Sequence, residues 1–163
     1  MKKLFTLLCL ALLITPSFAQ EEEKELKRPD NIGDAETDAF VNQSFDLYAS
    51  TLKTDKDLKT IEADIEKIEK DGNKIKQDAD ILKRLYAIQG EIRSRDEKAK
   101  ELDNKAADMA KHAKDIKPIK LVPQATKNVK SATKALDKTK EMTPNQVKKT
   151  EELLGRANKM VEK

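Results

Sequence analysis

From residue 34 to the end of the chain, apolar residues recur at the spacing of α-helices, and no segment alternates as a β-strand does. Steps of three and four residues place them on narrow stripes of about two apolar positions per seven, a pattern typical of coiled-coil seams. The stripes are Val41 to Leu52, Leu58 to Leu82, Leu85 to Ile116, and Ala125 to Val161. The pattern predicts an all-α fold with coiled-coil-like heptad seams.

Two reversals divide these stripes into three arms. Gly72, next to Asn73, favours the first reversal, because glycine and asparagine accept the left-handed backbone angles that end helices. The alternative is a tolerated glycine inside one continuous helix, at a cost of about 1 kcal/mol. Pro118 and Pro123 predict the second reversal, because a helix that passed through both would lose backbone hydrogen bonds. The resulting arms, 35–71, 74–116 and 123–162, favour an elongated antiparallel bundle.

Further signals predict breaks inside the arms. Thr54 stands where the first stripe ends, in a position to cap a new helix. Thr143 and Pro144 have the pattern of a cap followed by the first helical residue, and Gln146 lies three residues after the cap. We therefore expect internal breaks near Thr54 and Thr143.

Residues 1–19 predict export. Lys2 and Lys3 precede an apolar run over residues 4–14, and small residues lead to a cleavage site after Ala19. The run is too short to span a bilayer, which needs about 20 residues. The mature chain is therefore expected to start at Gln20 and to be periplasmic or secreted, with a start that resembles those of bacterial proteins.

The remaining chain is predicted to hold a tail and one domain. Residues 20–33 are acidic, contain few apolar side chains and predict a disordered tail. Residues 34–163 predict a single helical-bundle domain. Cys9, the only cysteine, falls inside the signal peptide, so stability of the mature protein must come from packing without a disulfide.

Charge is almost balanced overall, at +3, but it is unevenly distributed. Residues 20–60 hold 11 acidic and 6 basic side chains, whereas residues 117–163 hold 5 acidic and 12 basic ones. One interpretation is that the two ends attract one another when they fold side by side. The other is that the last arm presents a basic face to an anionic partner.

No pattern for catalysis, metal binding or cofactor binding stands out. The glycines are scattered singly, which disfavours a phosphate-binding loop. Asp108, His112 and Asp115 have helical spacing, but they offer one nitrogen where a structural zinc takes four nitrogen or sulfur ligands. We expect a solvated His112, no enzyme activity, no cofactor and no small-molecule ligand.

Candidate partner-binding residues occur in the first and last arms. Phe40, Phe45 and Tyr48 either fill one end of the bundle or anchor a partner helix or an unfolded client. The last arm carries a row of lysines: Lys127, Lys130, Lys134 and Lys138. Few arginines and no aromatic residues accompany them, which disfavours nucleic-acid binding. A stripe of Ala, Val and Thr also disfavours membrane-surface binding by this arm, and no stable membrane span is predicted.

These features predict an exported, non-enzymatic scaffold, spacer or protein-binding module of the cell envelope. The alternative is a holdase-like periplasmic chaperone. In size and helical arms the chain resembles the tentacled periplasmic chaperones that hold unfolded outer-membrane proteins, although the strand-forming runs of that family's trimerisation core are missing from the sequence. Because the seams are narrow, we also expect self-association and a melting temperature that rises with protein concentration.

Overall fold

The structure is a computed structural model that describes residues 25–72, 74 and 79–161. It contains three long α-helices and a short 3₁₀ helix, in the order α1 (Ala35–Asp71), α2 (Asp80–Asp115), the 3₁₀ helix (Ile119–Leu121) and α3 (Val122–Met160). These described residues form no β-strand, so the all-α prediction is confirmed. The predicted signal peptide lies outside the described residues.

Both predicted reversals coincide with helix ends. Gly72 has a left-handed φ of 66° and donates its backbone N–H to the carbonyls of Ile68 and Glu69, which ends α1. Helix α2 begins at Asp80, six residues later than the predicted start at 74. At the second reversal α3 starts at Val122 and takes Pro123 into its first turn, where a missing N–H costs no hydrogen bond.

The helices run up, down and up. Asp64 of α1 lies 3.3 Å from Arg84 of α2, and the earlier Thr54 contacts the later Arg95, so α2 runs antiparallel to α1. Asp103 of α2 lies 2.9 Å from Lys140 of α3, and the earlier Arg95 contacts the later Gln146, so α3 runs antiparallel to α2. Helix α3 packs extensively against both others, whereas α1 and α2 touch each other less. The heptad geometry of a long coiled coil stays a prediction.

Two apolar clusters make up the interior. The upper core surrounds the start of α1, the end of α2 and the first half of α3: Phe40, Val41, Phe45, Tyr48, Leu102, Met109, Ala113, Ile116, Ala125, Val129, Ala132, Ala135 and Leu136. The lower core lies toward the other end: Leu58, Ile61, Ile65, Ile81, Leu82, Leu85, Ile88, Ile92, Leu153, Leu154, Ala157 and Met160.

A layer of polar side chains separates the two cores. At its centre is Arg95 of α2, whose residue surface is 3 % exposed. Its guanidinium donates to the Thr54 hydroxyl of α1 at 2.9 Å and to the side-chain carbonyl of Gln146 on α3. The Gln146 amide in turn donates to the Thr51 carbonyl at 2.8 Å and to the Asp55 carboxylate at 2.6 Å. The layer therefore joins all three helices at one level.

The hydrogen bonds of this layer offset part of the cost of burying a cation. Burial lowers the pKa of Arg95, while the charges of Glu91 and Asp55 act in the opposite direction. An arginine stays charged in proteins despite such a shift. Its Nε atom is buried without a hydrogen-bond partner, so the layer is not completely satisfied.

Thr54 does not begin a new helix. Helix α1 continues through it, and its hydroxyl donates to the Ser50 carbonyl one turn earlier at 3.0 Å while accepting from Arg95. The predicted break is wrong because Thr54 serves the polar layer instead of capping a helix.

The predicted break at Thr143 and Pro144 is also wrong. Helix α3 passes through Pro144, and the Thr143 hydroxyl donates backward to the Thr139 carbonyl at 2.7 Å. A proline inside a helix costs about 3 kcal/mol. Buried side chains on both sides of it, including Thr139 and Gln146, hold α3 against its neighbours and offset that cost.

The structure differs from the predicted disordered tail over residues 25–33. This segment has no regular secondary structure, and its Leu26 and Ile32 side chains pack against the upper core. The buried Asn128 amide donates to the Asp30 carbonyl at 2.8 Å, and the backbone N–H groups of residues 32 and 33 donate to the Asp38 carboxylate. Apolar side chains spaced along a polar segment thus attach it to the bundle. Residues 20–24 lie outside the described part.

Candidate interaction surface at the basic end of the bundle

The connection between α2 and α3 places an isoleucine in solvent. Ile119 is 82 % exposed, the highest value among the exposed large hydrophobic residues of the described chain. Lys117 and Lys120 flank it and are also exposed. Leu121 and Val122, by contrast, pack against the upper core and hold the connection in place. The tip is therefore apolar at its centre and basic around it.

Lysines extend this tip along the outer face of α3. Lys127, Lys130 and Lys134 are all exposed, and steps of three and four residues put them on one side of the helix. Residues 116–136 contain five lysines and no acidic side chain. We name these five lysines together with Ile119 the basic end: Lys117, Ile119, Lys120, Lys127, Lys130 and Lys134.

Ion pairs between helices balance part of the charge gradient of the sequence in the lower half of the bundle. There, Lys149 of α3 binds Glu62 of α1, and Arg156 binds Glu69 at 2.7 Å. These contacts raise the pKa of Lys149 and Arg156, each first through its side-chain hydrogen bond. No acidic side chain of the described chain lies within ion-pair distance of the five lysines of the basic end.

The acidic group at the start of α1, near the basic end, is already engaged. Asp34 accepts from the Thr37 backbone N–H at 2.9 Å, caps α1 and contacts His112. These hydrogen bonds, first those with Thr37, hold the pKa of Asp34 below its usual range. Asp115, the acid next to this segment in sequence, is exposed. The five lysines therefore present an excess of positive charge to solvent.

His112 connects two helix ends. Its Nε2 atom lies 2.9 Å from the Asp34 carboxylate, and its Nδ1 atom lies 3.5 Å from the Glu36 carboxylate. The expectation of a solvated histidine is therefore corrected, because the ring is half-buried and holds the end of α2 to the start of α1. Asp108 instead contacts Lys111 at 3.5 Å. Within the described residues, no group of three potential ligands is placed to hold a metal ion.

The contact between His112 and Asp34 is expected to make stability depend on pH. Its hydrogen bond to Asp34 is the largest cause of a raised His112 pKa. The stabilisation is thus complete below the ordinary histidine pKa of about 6.5 and is lost as pH rises through the raised value. Replacing His112→Gln should reduce the free energy of unfolding by about 0.5 to 1 kcal/mol near pH 5.5, and by less near pH 9.

Urea unfolding of both proteins at the two pH values checks this expectation. Lys114→Gln is a matched control, because Lys114 is also a basic residue in the last turn of α2. Its effect should be similar at both values, since the replacement leaves the contact between His112 and Asp34 in place. An equal loss for His112→Gln at both values would contradict the assignment.

The three candidate aromatic residues are buried. Phe40, Phe45 and Tyr48 belong to the upper core, so in the folded bundle they are not an exposed anchor for a partner or an unfolded client. Their positions match the other sequence interpretation, in which they fill one end of the bundle. Of the four candidate lysines, Lys127, Lys130 and Lys134 belong to the basic end, whereas Lys138 lies 3.1 Å from Glu141.

The sequence pattern did not identify Lys117, Lys120 or Ile119 as part of this surface, and Ile119 is the apolar residue among the three. It stands between Pro118 and Lys120 in a segment predicted to be a turn, outside every apolar stripe. A large apolar residue outside every stripe has no predicted place in the core, and this was the one sequence signal that pointed to an exposed Ile119.

Other surface features are less distinctive. A groove of about 460 Å³ lies between α1 and α2, lined mainly by polar and charged side chains such as Gln43, Asp46, Lys98 and Glu101. No helix in the described part of the chain has an apolar stretch of the length needed to cross a membrane. Comparison of the chain with protein families, curated proteins and solved structures finds no match.

Proposed function

We propose that the protein is an exported, non-enzymatic scaffold or spacer of the cell envelope, and that it binds an anionic partner through its basic end. The observation that carries this proposal is the group of five exposed lysines of the basic end, which have no ion-pair partner among the described residues, together with the exposed Ile119. The lower half uses its basic side chains for contacts between helices, whereas the basic end leaves its lysines available to another molecule.

Support for a non-enzymatic role comes from the use of the polar side chains. His112 and Arg95 are the groups that a catalytic site would draw on first, and both are held in contacts between helices. Helices of 36 to 39 residues are about 55 to 60 Å long, a length suited to separating two attachment points. Export rests on the signal-peptide pattern of residues 1–19.

The chaperone alternative receives less support. It requires Phe40, Phe45 and Tyr48 to be accessible to clients, and they are buried. Self-association stays a prediction. Arg95, a charged residue within the apolar stripe from Leu85 to Ile116, finds hydrogen-bond partners within its own chain. A second copy is therefore not needed to satisfy it.

Fractionation of bacterial cells that express the full chain tests the proposal. We expect mature protein whose intact mass corresponds to a start at Gln20, retained on the envelope at low salt and released at high salt. The double variant Lys127→Glu, Lys130→Glu should be exported normally but lose most of this retention. Reversing two exposed charges should leave folding intact, which circular dichroism can check.

The matched control is Lys148→Glu with Lys159→Glu. These lysines are exposed on the same helix but outside the basic end, so the control changes net charge by the same amount. It should keep most of the envelope retention. Protein that remains in the cytoplasm, or two double variants that behave alike, would contradict the proposed function.

A further inference from the structure

We propose that the basic end docks on the surface of an anionic lipid bilayer, with Ile119 entering the interfacial region and the surrounding lysines contacting lipid phosphates. This inference rests on the proposed function and names its partner class. It departs from the sequence expectation for the last arm, because the apolar element is the connection before α3 and not a broad face of that helix.

The position of Ile119 suits shallow insertion. Ile119 is 82 % exposed in the connection at the end of the bundle, where no other element of the described chain covers it. Leu121 and Val122 fix the connection to the upper core, so the exposed side chain is presented by a supported backbone. Lys117 and Lys120 on either side have long flexible stems, which allow their amines to reach phosphates while the isoleucine lies deeper.

The chemistry of the cluster favours lipid over an acidic protein. All five basic residues are lysines, which are hydrated point charges suited to a diffuse anionic surface. Stable protein interfaces are instead enriched in arginine and aromatic residues and depleted in lysine. Residues 116–136 contain neither arginine nor an aromatic residue. One exposed isoleucine also offers too little apolar area for the centre of a protein interface.

The geometry ranks the lysines by distance from the bilayer. At about 1.5 Å per residue, Lys127 lies about 8 Å along α3 from Val122, and Lys134 about 18 Å. The Debye length is about 8 to 10 Å at physiological salt. Lys117, Lys120 and Lys127 should therefore contribute more than Lys134 when the bundle contacts the bilayer by its tip.

Co-sedimentation of the mature protein with vesicles tests the proposal. We expect binding to phosphatidylcholine vesicles that contain about one third phosphatidylglycerol, little binding to pure phosphatidylcholine, and release by high salt. Neutralising Lys120→Gln together with Lys127→Gln should lower the partition coefficient roughly 25-fold, at roughly fivefold per lysine. Lys134→Gln should lower it less than Lys120→Gln does.

Ile119→Ser tests insertion and should lower the partition coefficient roughly fivefold to tenfold without changing the circular dichroism spectrum. Tyr86→Ser is the matched control, because Tyr86 is 55 % exposed on α2 outside the basic end, and its replacement should leave binding unchanged. Lys148→Gln with Lys159→Gln controls for the two lost charges.

Three results would overturn the inference: no binding to the anionic vesicles at low salt, unchanged binding by Ile119→Ser, or equal losses from the two pairs of lysine variants. Binding to polyglutamate but not to vesicles would indicate an acidic protein partner instead. In that case envelope retention would still depend on Lys127 and Lys130, so the proposed function would survive while the lipid proposal failed. If neither vesicle binding nor envelope retention depended on the lysines of the basic end, the lipid proposal and the proposed function would both be refuted.

Discussion

Replacing Ile65→Asp is expected to unfold the protein. Ile65 is 0 % exposed and lies in the lower core, where the new carboxylate would be surrounded by apolar side chains. Burial of an unpaired charge, added to the loss of an apolar side chain, costs at least about 4 kcal/mol. Domains of this size have a free energy of unfolding of about 5 to 15 kcal/mol, so such a loss removes most or all of it.

Circular dichroism and urea unfolding measure this effect. Ala63→Asp is the matched control, because it places the same side chain two residues away on an exposed position of the same helix. It should cost no more than about 0.7 kcal/mol, the difference in helix propensity. A folded Ile65→Asp protein with nearly unchanged stability would show that Ile65 is not in the core.

The second large effect is expected in the polar layer. Replacing Gln146→Leu removes the acceptor that faces one guanidinium nitrogen of Arg95 and leaves that buried cation with fewer hydrogen bonds. It should reduce the free energy of unfolding by about 2 to 4 kcal/mol. The Thr54 hydroxyl would remain as an acceptor, so the loss should be smaller than for a cation with no partner.

A double-mutant cycle with Arg95→Met separates the contact from the size of the side chains. When the cation is absent, the acceptor is no longer needed, so the double variant should be more stable than Gln146→Leu alone. Strictly additive losses, or a double variant less stable than both single variants, would contradict the role assigned to the layer. The measurement is urea unfolding of all four proteins under one condition.

The polar layer also suggests why this bundle has one alignment of its helices. Contacts between apolar side chains, which make up both cores, tolerate a shift of one helix along another better than a directed hydrogen bond does. Arg95 reaches acceptors on both other helices only at one level, so a shift would leave a cation buried without partners. Gln146→Leu should therefore reduce the uniqueness of packing as well as stability.

Local signals in the sequence were enough to predict the helices and reversals. The end of α1 at Asp71 matches the reversal favoured at Gly72, because glycine accepts the left-handed angle that follows and this preference belongs to the residue itself. Pro118 and Pro123 likewise mark the second reversal through the fixed geometry of proline. The spacing of apolar residues gave the all-α class, because a helix needs one continuous apolar stripe to pack.

The predictions that differ from the structure have a different cause, since each depends on contacts with another part of the bundle. Thr54 and Pro144 carry the local signals of helix starts, but contacts across the bundle hold both inside continuous helices. Residues 25–33 look disordered until the upper core offers a surface to Leu26 and Ile32.

The candidate site shows the same division. The sequence gives Lys127, Lys130 and Lys134 one helical face, because their spacing is local. Whether Phe40 is buried, whether Ile119 is exposed, and which lysines meet an acidic side chain depend on how three helices pack together. Those contacts join residues far apart in the chain, so no local pattern of residues specifies them.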